Sequence, residues 1–493
     1  MEPMTIQEIA SAVRGVWKNP GDEAAPITAV CTDSRSIVPG SLFLPWVGEK
    51  FDGHRFIDAA LDAGAAGCLC ARLPETLRPD KFYIQVADTR LALRDLAAAC
   101  RDRFAIPFVQ ITGSVGKTTT KDMVASVLGA KLKVLKTFGN YNNDVGTPLT
   151  LLNLAADHQA AVIETGMNHF GEIDYLGAMV RPDIAVISNI GDAHIEYLGS
   201  REGILQAKCE IFHHLREGGL AVLNGDDALL DTVDLPCRTV RCGQSAHCQV
   251  RITEIEDHGV EGITCTVETE RERYVLHTSA PGEHMAYAAS IAVAVGEELG
   301  LDREEITRGV AAYTPTGSRM RVLHLPEGRI LLDDCYNANP QSVAAALEVL
   351  AKTACERKVA VLGDMGELGE LTDQAHYNMG ALAAMLGIDF VAAIGEKAVK
   401  IADGAAQSGG DALHFSTKEE ALGELRVQLE PGTAMLVKAS HAMKFEQLVD
   451  VYKRQVVDRA DDLHHLRRGA NVIQNVLHPL VGHGALIQSG LAH

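Results

Sequence analysis

FVQITGSVGKTTTKDM, residues Phe108 to Met123, reads as an apolar β-strand that enters a glycine-rich turn and then the start of a helix. Small residues in such a turn let successive backbone N–H groups face one anion, and the helix N-terminus adds positive potential. Lys117 can then reach the β/γ oxygens of a nucleotide, while a threonine hydroxyl can ligate Mg²⁺. The stretch departs from the usual eight-residue phosphate loop, because Ile111 holds the place of the first glycine and only Gly113 and Gly116 remain. The strand before it and the three threonines after it favour phosphate binding over a plain tight βα turn. The candidate nucleotide contacts are Gly113, Ser114, Val115, Gly116, Lys117, Thr118 and Thr119.

Downstream, GNYNNDVGTPLTLLNL (Gly139 to Leu154) is a loop dense in asparagine and glycine before an apolar helix capped near Gly146-Thr147-Pro148. Ala160 to Ile163 and Ile184 to Ile190 read as buried strands, the first ending at Glu164, the second leading into GDAHIEYLGSREGILQAKCEIF. Strands alternating with helices at this spacing predict a mainly parallel sheet covered on both faces. Ligands in such sheets sit beyond the carboxyl ends of strands, where Glu164, Asn189 and His194 fall. Residues 250–278 alternate like antiparallel strands and predict a small side sheet.

Upstream, Ile6 to Val13 and His54 to Gly64 read as helices and Leu91 to Arg103 as another. Ala29 to Thr32, Ser41 to Val47 and the AAGCLCA segment read as strands. Thr32-Asp33-Ser34-Arg35 places two hydroxyls, a carboxylate and a guanidinium on successive residues. Such a cluster can grip a nucleotide's phosphate and sugar, or form a solvated turn with an internal ion pair.

A third α/β unit opens near Met320, with strands at Arg329 to Asp333, Val359 to Leu362, Phe390 to Ile394 and Ala434 to Val437. DDCYNANP (333–340) follows the first of these strands and GDMGELGE (363–370) the second, with Pro340 placed as a helix's first residue. The predicted fold class is therefore α/β in three domains. Residues 1–106 form an N-terminal α/β domain, 107–318 a P-loop ATPase domain with a mainly parallel sheet, and 319–450 a Rossmann-like α/β domain. From 451 to 493 the chain turns rich in His and Arg and loses the βα rhythm. An added helical segment, a disordered tail, and sequence foreign to the native gene end are the three readings, and the third fits best.

Aspartate plus glutamate (65) outnumber lysine plus arginine (45), a net charge of −20 that argues against general affinity for nucleic acid or anionic membrane. An anionic substrate must then meet a local basic pocket. The eleven cysteines show no C-x-x-C or zinc spacing and read as reduced thiols. The start MEPMTIQEIASAV lacks a basic segment followed by an apolar core, and no run of eighteen apolar residues occurs. The expectation is a cytoplasmic protein without membrane insertion, and a monomer.

Chemistry gathers on the central domain. Thr118 can offer an oxygen to Mg²⁺ and Glu164 a carboxylate. His194 could approach a second metal, or be a hydrogen-bonded loop histidine; Lys208 taken alone would be an ordinary helix lysine. Taken together and in order, TGSVGKTTTK, GNYNNDVGTPLTLL, ETGMNHFGEI, SNIGDAHIEYLGSREGILQAKCEIF, DDCYNANP and LGDMGELG resemble the Mur ligases of peptidoglycan synthesis. The resemblance covers nearly all of the chain to about Asp450. It implies an ATP- and Mg²⁺-dependent amide ligase acting on UDP-N-acetylmuramoyl-tripeptide and D-alanyl-D-alanine, its three domains binding the UDP-sugar peptide, ATP and the amine component.

By the same resemblance Lys117 holds the phosphates, Thr118 and Glu164 the first Mg²⁺, and His194 the second. Lys208 matches a lysine that CO₂ converts into a carboxylate-like ligand, so Lys117, His194 and Lys208 are the candidate catalytic set. Arg319 and Asp334 match γ-phosphate and ribose contacts. Thr32, Asp33, Ser34 and Arg35, with Asn140, Asn142 and Asn143, fall on the UDP-substrate side; Asn337 and Asn339 fall on the amine side. No catalytic base is evident. Two departures stand out. Met285 and Ala288 (GEHMAYAAS) replace two asparagines of the pattern, and Lys438-Ala439-Ser440-His441 stands for a K-G-S-R segment. The rivals are a ligase adding the third amino acid, a folate polyglutamate or cyanophycin type of amide ligase, and a P-loop NTPase acting as a switch.

Overall fold

All five residues of the strand Phe108–Thr112 are buried, as a strand covered on both faces requires. In the computed structural model, which describes residues 1–19, 25–48 and 51–453, this strand is the pivot of a nine-stranded sheet. On one side of it lie Ala160–Glu164 and then Val134–Lys136. On the other lie Ile184–Ile187, Leu220–Asn224 and Arg238–Gly243, all parallel. The chain thus reverses its direction of strand addition at Phe108–Thr112, the kind of position where open α/β sheets bind ligands, at the carboxyl ends of the strands. The helix Lys117–Gly129 that follows is buried nearly all round. It packs into one apolar core with the almost wholly buried helix His284–Glu298.

The expected side sheet is not separate. Val250–Asp257 pairs in parallel with Arg238–Gly243, through Cys242 opposite Val250, and Ile263–Glu268 and Arg273–Thr278 extend the same sheet antiparallel. Alternating burial marks a strand with one solvated face, and this holds equally for the outer strands of a large sheet.

The described residues fall into two compact units: Met1–Gly317 with Asn339–Lys352 and Gly366–Ala375, and Ser318–Ala338 with Thr353–Met365 and the described residues from His376. Within the first unit a five-stranded sheet precedes the large one, in the order Val16–Lys18, Phe82–Gln85, Gly67–Cys70, Leu42–Phe43, Val30–Cys31. The expected strand Ser41 to Val47 is a strand only at Leu42–Phe43, with an isolated antiparallel bridge from Val47 to Asp52 beyond Pro45, which cannot donate to a ladder. The helix Thr89–Asp102 starts on Asp88, whose carboxylate accepts from the N–H groups of Arg90 (2.7 Å) and Leu91 (3.0 Å). Its Leu93, Leu96 and Cys100 share a core with Phe108, Ile163 and Leu176. Buried Arg101, on the same helix, donates to the carbonyls of Val180 and Arg181 and stacks 4.0 Å over Phe108.

The second unit carries a six-stranded sheet ordered Arg321–Leu325, Arg329–Asp333, Thr433–Lys438, Arg357–Gly363, Phe390–Ile394, Ala412–Phe415. It is parallel except for its first, edge strand. Each of the three sheets lies inside one of the three expected domains. Pro340 is the first residue of the helix Pro340–Lys352, as predicted. All eleven cysteines are free.

Of the atypical tail expected at 451–493, residues 454–493 lie outside the described residues. Helix continues through residue 453, and Tyr452 is 1% exposed among Phe445, Leu448 and Val449. The packed core therefore extends past Asp450. Its hydroxyl has no hydrogen-bond partner among the described residues, which is a cost the ring's burial must outweigh. Tyr452→Ala should destabilise the unit by about 3 kcal/mol, whereas Tyr452→Phe should be neutral or stabilising. Urea unfolding of the two variants reads both signs.

Candidate active site

The turn after Phe108–Thr112 is shaped by its two glycines. A Cβ at Gly113 would stand 2.0 Å from Ser188 Oγ, and Gly116 adopts φ +76° as the residue capping the helix Lys117–Gly129. The neighbouring strand end locks the loop. Asn189 accepts from Val115 N–H through Oδ1 (2.8 Å) and donates through Nδ2 to Val115 O (2.8 Å), while Ser188 Oγ donates to the same carbonyl (2.9 Å). Lys117 Nζ donates to Gly113 O at 2.8 Å, folding its ammonium back over the turn.

Glu164 ends the next strand, 1% exposed. Its Oε2 accepts from Thr118 Oγ1 (2.8 Å) and its Oε1 from Asn142 Nδ2 (2.8 Å). Its backbone N–H is bound by Thr137 Oγ1 at 3.0 Å. Thr118 and Glu164, predicted as one metal pair, are thus brought together. A hydroxyl beside a carboxylate is the hard-oxygen donor set that suits Mg²⁺, which takes one or two protein ligands and fills its shell with water and phosphate oxygens.

Lys208 lies in the last turn of the helix Arg201–Cys209 and is 1% exposed. Burial, reinforced by the charge of Lys117, pushes its amine well below the usual lysine range. Among the described residues it has no ion-pair partner. The solvated helix lysine considered from the sequence is therefore not what the structure holds.

His194, at φ +67°, caps the short helix Ile195–Leu198 and presents Nδ1 2.5 Å from Glu367 Oε2. The contact with His194 holds the Glu367 carboxyl below its ordinary range against the cost of burial. Glu367 went unrecognised in the sequence, as did Ser188, Asp192 and Thr137. Their only signal was position, at the polar ends of strands or in the turns that follow. Among the described residues no three His, Cys, Asp or Glu side chains converge as a metal cluster.

The asparagine loop does two structural jobs. Asn142 serves Glu164, and Asn143 Oδ1 accepts from Gly146 N–H (2.8 Å) at the start of the helix Gly146–Leu151. Asn140 O accepts from Asn142 N–H. In the Thr32–Arg35 segment, Arg35 and Asp33 form an exposed pair at 2.7 Å, and these hydrogen bonds bring the Asp33 carboxyl down to about 2.

In the second unit, Asp334 accepts from Lys438 Nζ at 2.6 Å and from Met320 N–H at 2.9 Å. Lys438 was read from the sequence only as part of an altered segment. Arg319 stacks 3.8 Å over Tyr336, whose ring centroid lies 5.4 Å from that of His441. Asn337 O accepts from Lys438 (2.9 Å). Asn339, counted in the first unit, caps its helix by accepting from Ser342 N–H (2.9 Å).

Known proteins line up with most of this chain. The family descriptions "Mur ligase family, catalytic domain", "Mur ligase middle domain" and "Mur ligase, glutamate ligase domain" match residues 26–101, 111–296 and 318–441. The UDP-N-acetylmuramoyl-tripeptide–D-alanyl-D-alanine ligase of Bacillus subtilis (strain 168) is 36% identical over 448 residues, 90% of this chain and 97% of that one. Its counterpart in Escherichia coli (strain K12) is 37% identical over 459 residues, 91% and 98% of the two chains. Among solved structures, MurF from Acinetobacter baumannii superposes with a TM-score of 0.84 at 33% identity, covering 92% of this chain and 99% of that one. MurF ligase from Thermotoga maritima in complex with ADP gives 0.77 at 28% identity, covering 87% and 98%.

Because the loop has no room for a side chain at Gly113, Gly113→Ala should displace Ser188 and release its bond to Val115. ADP affinity, read by titration calorimetry, should fall at least about tenfold, or 1.4 kcal/mol, with the far-ultraviolet circular dichroism unchanged. Undiminished affinity would mean that this turn is not the nucleotide seat.

Proposed function

The chain belongs to the Mur ligase family, and from that membership we propose how it works. It is an ATP-dependent ligase of peptidoglycan precursor synthesis that adds D-alanyl-D-alanine to UDP-N-acetylmuramoyl-tripeptide. Residues 1–106 receive the UDP-sugar peptide through Thr32, Asp33, Ser34 and Arg35, aided by Asn140, Asn142 and Asn143. Residues 107–318 bind ATP at Gly113 to Thr119, and residues 319–450 bring Arg319 and Asp334 to the nucleotide and Asn337 and Asn339 to the amine side. The observation that carries the reading is the buried Thr118–Glu164 pair at the foot of the phosphate turn.

The first step forms a bond between a carboxylate oxygen of the tripeptide and the γ-phosphorus, and ADP leaves. In the second, the dipeptide amine attacks the acyl carbon and phosphate leaves. Carboxylate and triphosphate repel, so the chain must hold them in line. Lys117 exchanges its loop carbonyls for β/γ oxygens, and the turn's N–H groups fix the phosphates. Mg²⁺, held by Thr118 and Glu164 with a second ion at His194, would supply neutralising charge. Positioning of this kind lowers a barrier by roughly 7–11 kcal/mol, more than one acid or base provides, and no base is assigned.

Lys208 supports a carbamate role by its burial. A neutral amine is the form that attacks CO₂, forming a C–N bond and losing a proton, and the product carries the negative charge that a site between cations can use. Glu367 contacts His194 Nδ1, which leaves Nε2 as the open nitrogen. Among the described residues no helix is long and apolar enough to cross a membrane. We place the enzyme in the cytoplasm as a monomer.

Phosphate release should require ATP, UDP-N-acetylmuramoyl-tripeptide and D-alanyl-D-alanine together. Release with glutamate, or without acceptor, would refute the assignment. Lys208→Ala should abolish ligation, and the wild-type enzyme in CO₂-depleted buffer should lose activity that bicarbonate restores. Full activity of the variant would remove the carbamate from the scheme.

A further inference from the structure

Gln341 stands in the first turn of the helix Pro340–Lys352, within the first unit, and its side chain is fixed from one side only. Its Nε2 donates to Asp192 Oδ2. A carboxylate can only accept, so this contact dictates which way round the carboxamide lies. Asp192 is held in turn by Arg201, whose Nε is 3.9 Å from Oδ1 and whose guanidinium donates to Ile190 O at 2.6 Å. The other end of the amide, Gln341 Oε1, is shielded from solvent and has no hydrogen-bond partner among the described residues.

The place where that oxygen sits is specific. A Cβ built on Gly191 would lie 3.2 Å from both Gln341 Cδ and Oε1, and 3.3 Å from Ser114 Cβ. Gly191 O itself accepts from Ser114 Oγ (3.4 Å). Gln341 therefore lies against the wall of the phosphate turn, with the glycine making room for it. A buried acceptor without a donor is an unfavourable arrangement, and a bound molecule offering N–H or O–H relieves it. Nucleotide phosphates offer no donor. The incoming amine does, and it must arrive at the phosphate end of the site.

We infer that Gln341 is a specificity-determining contact for the amine substrate, its Oε1 accepting a hydrogen bond from the D-alanyl-D-alanine amine, with Asp192 as the positioning residue that fixes the carboxamide. This rests on the two-step reading given above. As the amine nitrogen bonds to the acyl carbon, the bond from that carbon to the phosphate oxygen breaks, and the surplus amine proton leaves with the phosphate. Gln341 accepts a hydrogen bond throughout and takes no proton. A ribose hydroxyl is the competing donor, and the two are separable by kinetics.

Gln341→Met keeps the volume and removes the acceptor. It should raise KM for D-alanyl-D-alanine at least tenfold while KM for ATP and for UDP-N-acetylmuramoyl-tripeptide stays within twofold. Scrambling of ¹⁸O between the bridging and non-bridging positions of ATP, with tripeptide but no dipeptide, should proceed at the wild-type rate. Asp192→Asn provides the second variant: its amide can donate to Gln341 Oε1 and turn the carboxamide round, so it should reproduce the dipeptide defect even where Gln341→Met folds poorly. A rise confined to KM for ATP would assign the oxygen to ribose and overturn the inference. Equal loss of scrambling and ligation, or no change in any constant, would overturn it too. Absence of scrambling in the wild-type enzyme would instead count against the acyl-phosphate step, leaving the dipeptide KM to decide Gln341.

Discussion

One buried carboxylate sets the terms for the rest of the site. Glu164 has both oxygens engaged, but by neutral donors, the Thr118 hydroxyl and the Asn142 amide. Among the described residues it has no ionic partner, and an ionised carboxylate shielded from water without one is costly. The fold nonetheless assembles three separate segments to hold it: the helix after the phosphate turn, the asparagine loop, and the strand end that Thr137 also braces. Such support for a buried carboxylate is reasonable where a cation completes the set, because the hydrogen bonds orient the ligand oxygens in advance.

The sheet explains why this chemistry gathers where it does. Phe108–Thr112 has Ala160–Glu164 on one side and Ile184–Ile187 on the other, so the turn, Glu164 and Ser188–Asn189 issue from three adjacent strand ends. Two segments that follow strands of the third sheet, Asn339–Lys352 and Gly366–Ala375, are counted with the first unit rather than with the sheet they leave. They supply Gln341 to Asp192 and Glu367 to His194.

The sequence made local chemistry readable and long-range pairing unreadable. The phosphate turn, Glu164 at a strand end and the βα rhythm all follow from patterns a few residues long, and the sheets confirm the fold class they imply. Lys208 taken alone reads as an ordinary helix lysine and is singled out only by the resemblance of its motif; its burial is a tertiary property that no local pattern gives. Asp334 with Lys438 and His194 with Glu367 join residues more than a hundred positions apart, and nothing local specifies such partners. The strands Val16–Lys18 and Ala412–Phe415 escaped notice because three or four half-exposed residues at a sheet edge carry almost no hydrophobic period. Residues 250–278 showed the right period, but alternation reports a solvated face and not which sheet a strand joins.

Burial separates two lysines that charge alone would treat alike. The chain carries a net −20 and must receive a triphosphate and a carboxylate together, so cations at the site have to be local and each must keep its form. Lys117 is half-buried and already hydrogen-bonds through its ammonium to the turn it serves, which suits a phosphate clamp. Lys208 is enclosed, and the charge of Lys117 makes its own protonation still less favourable. Burial and the charge of Lys117 thus act in the same direction on Lys208, both disfavouring a second ammonium at the site, and the proposed carbamate would depend on that condition.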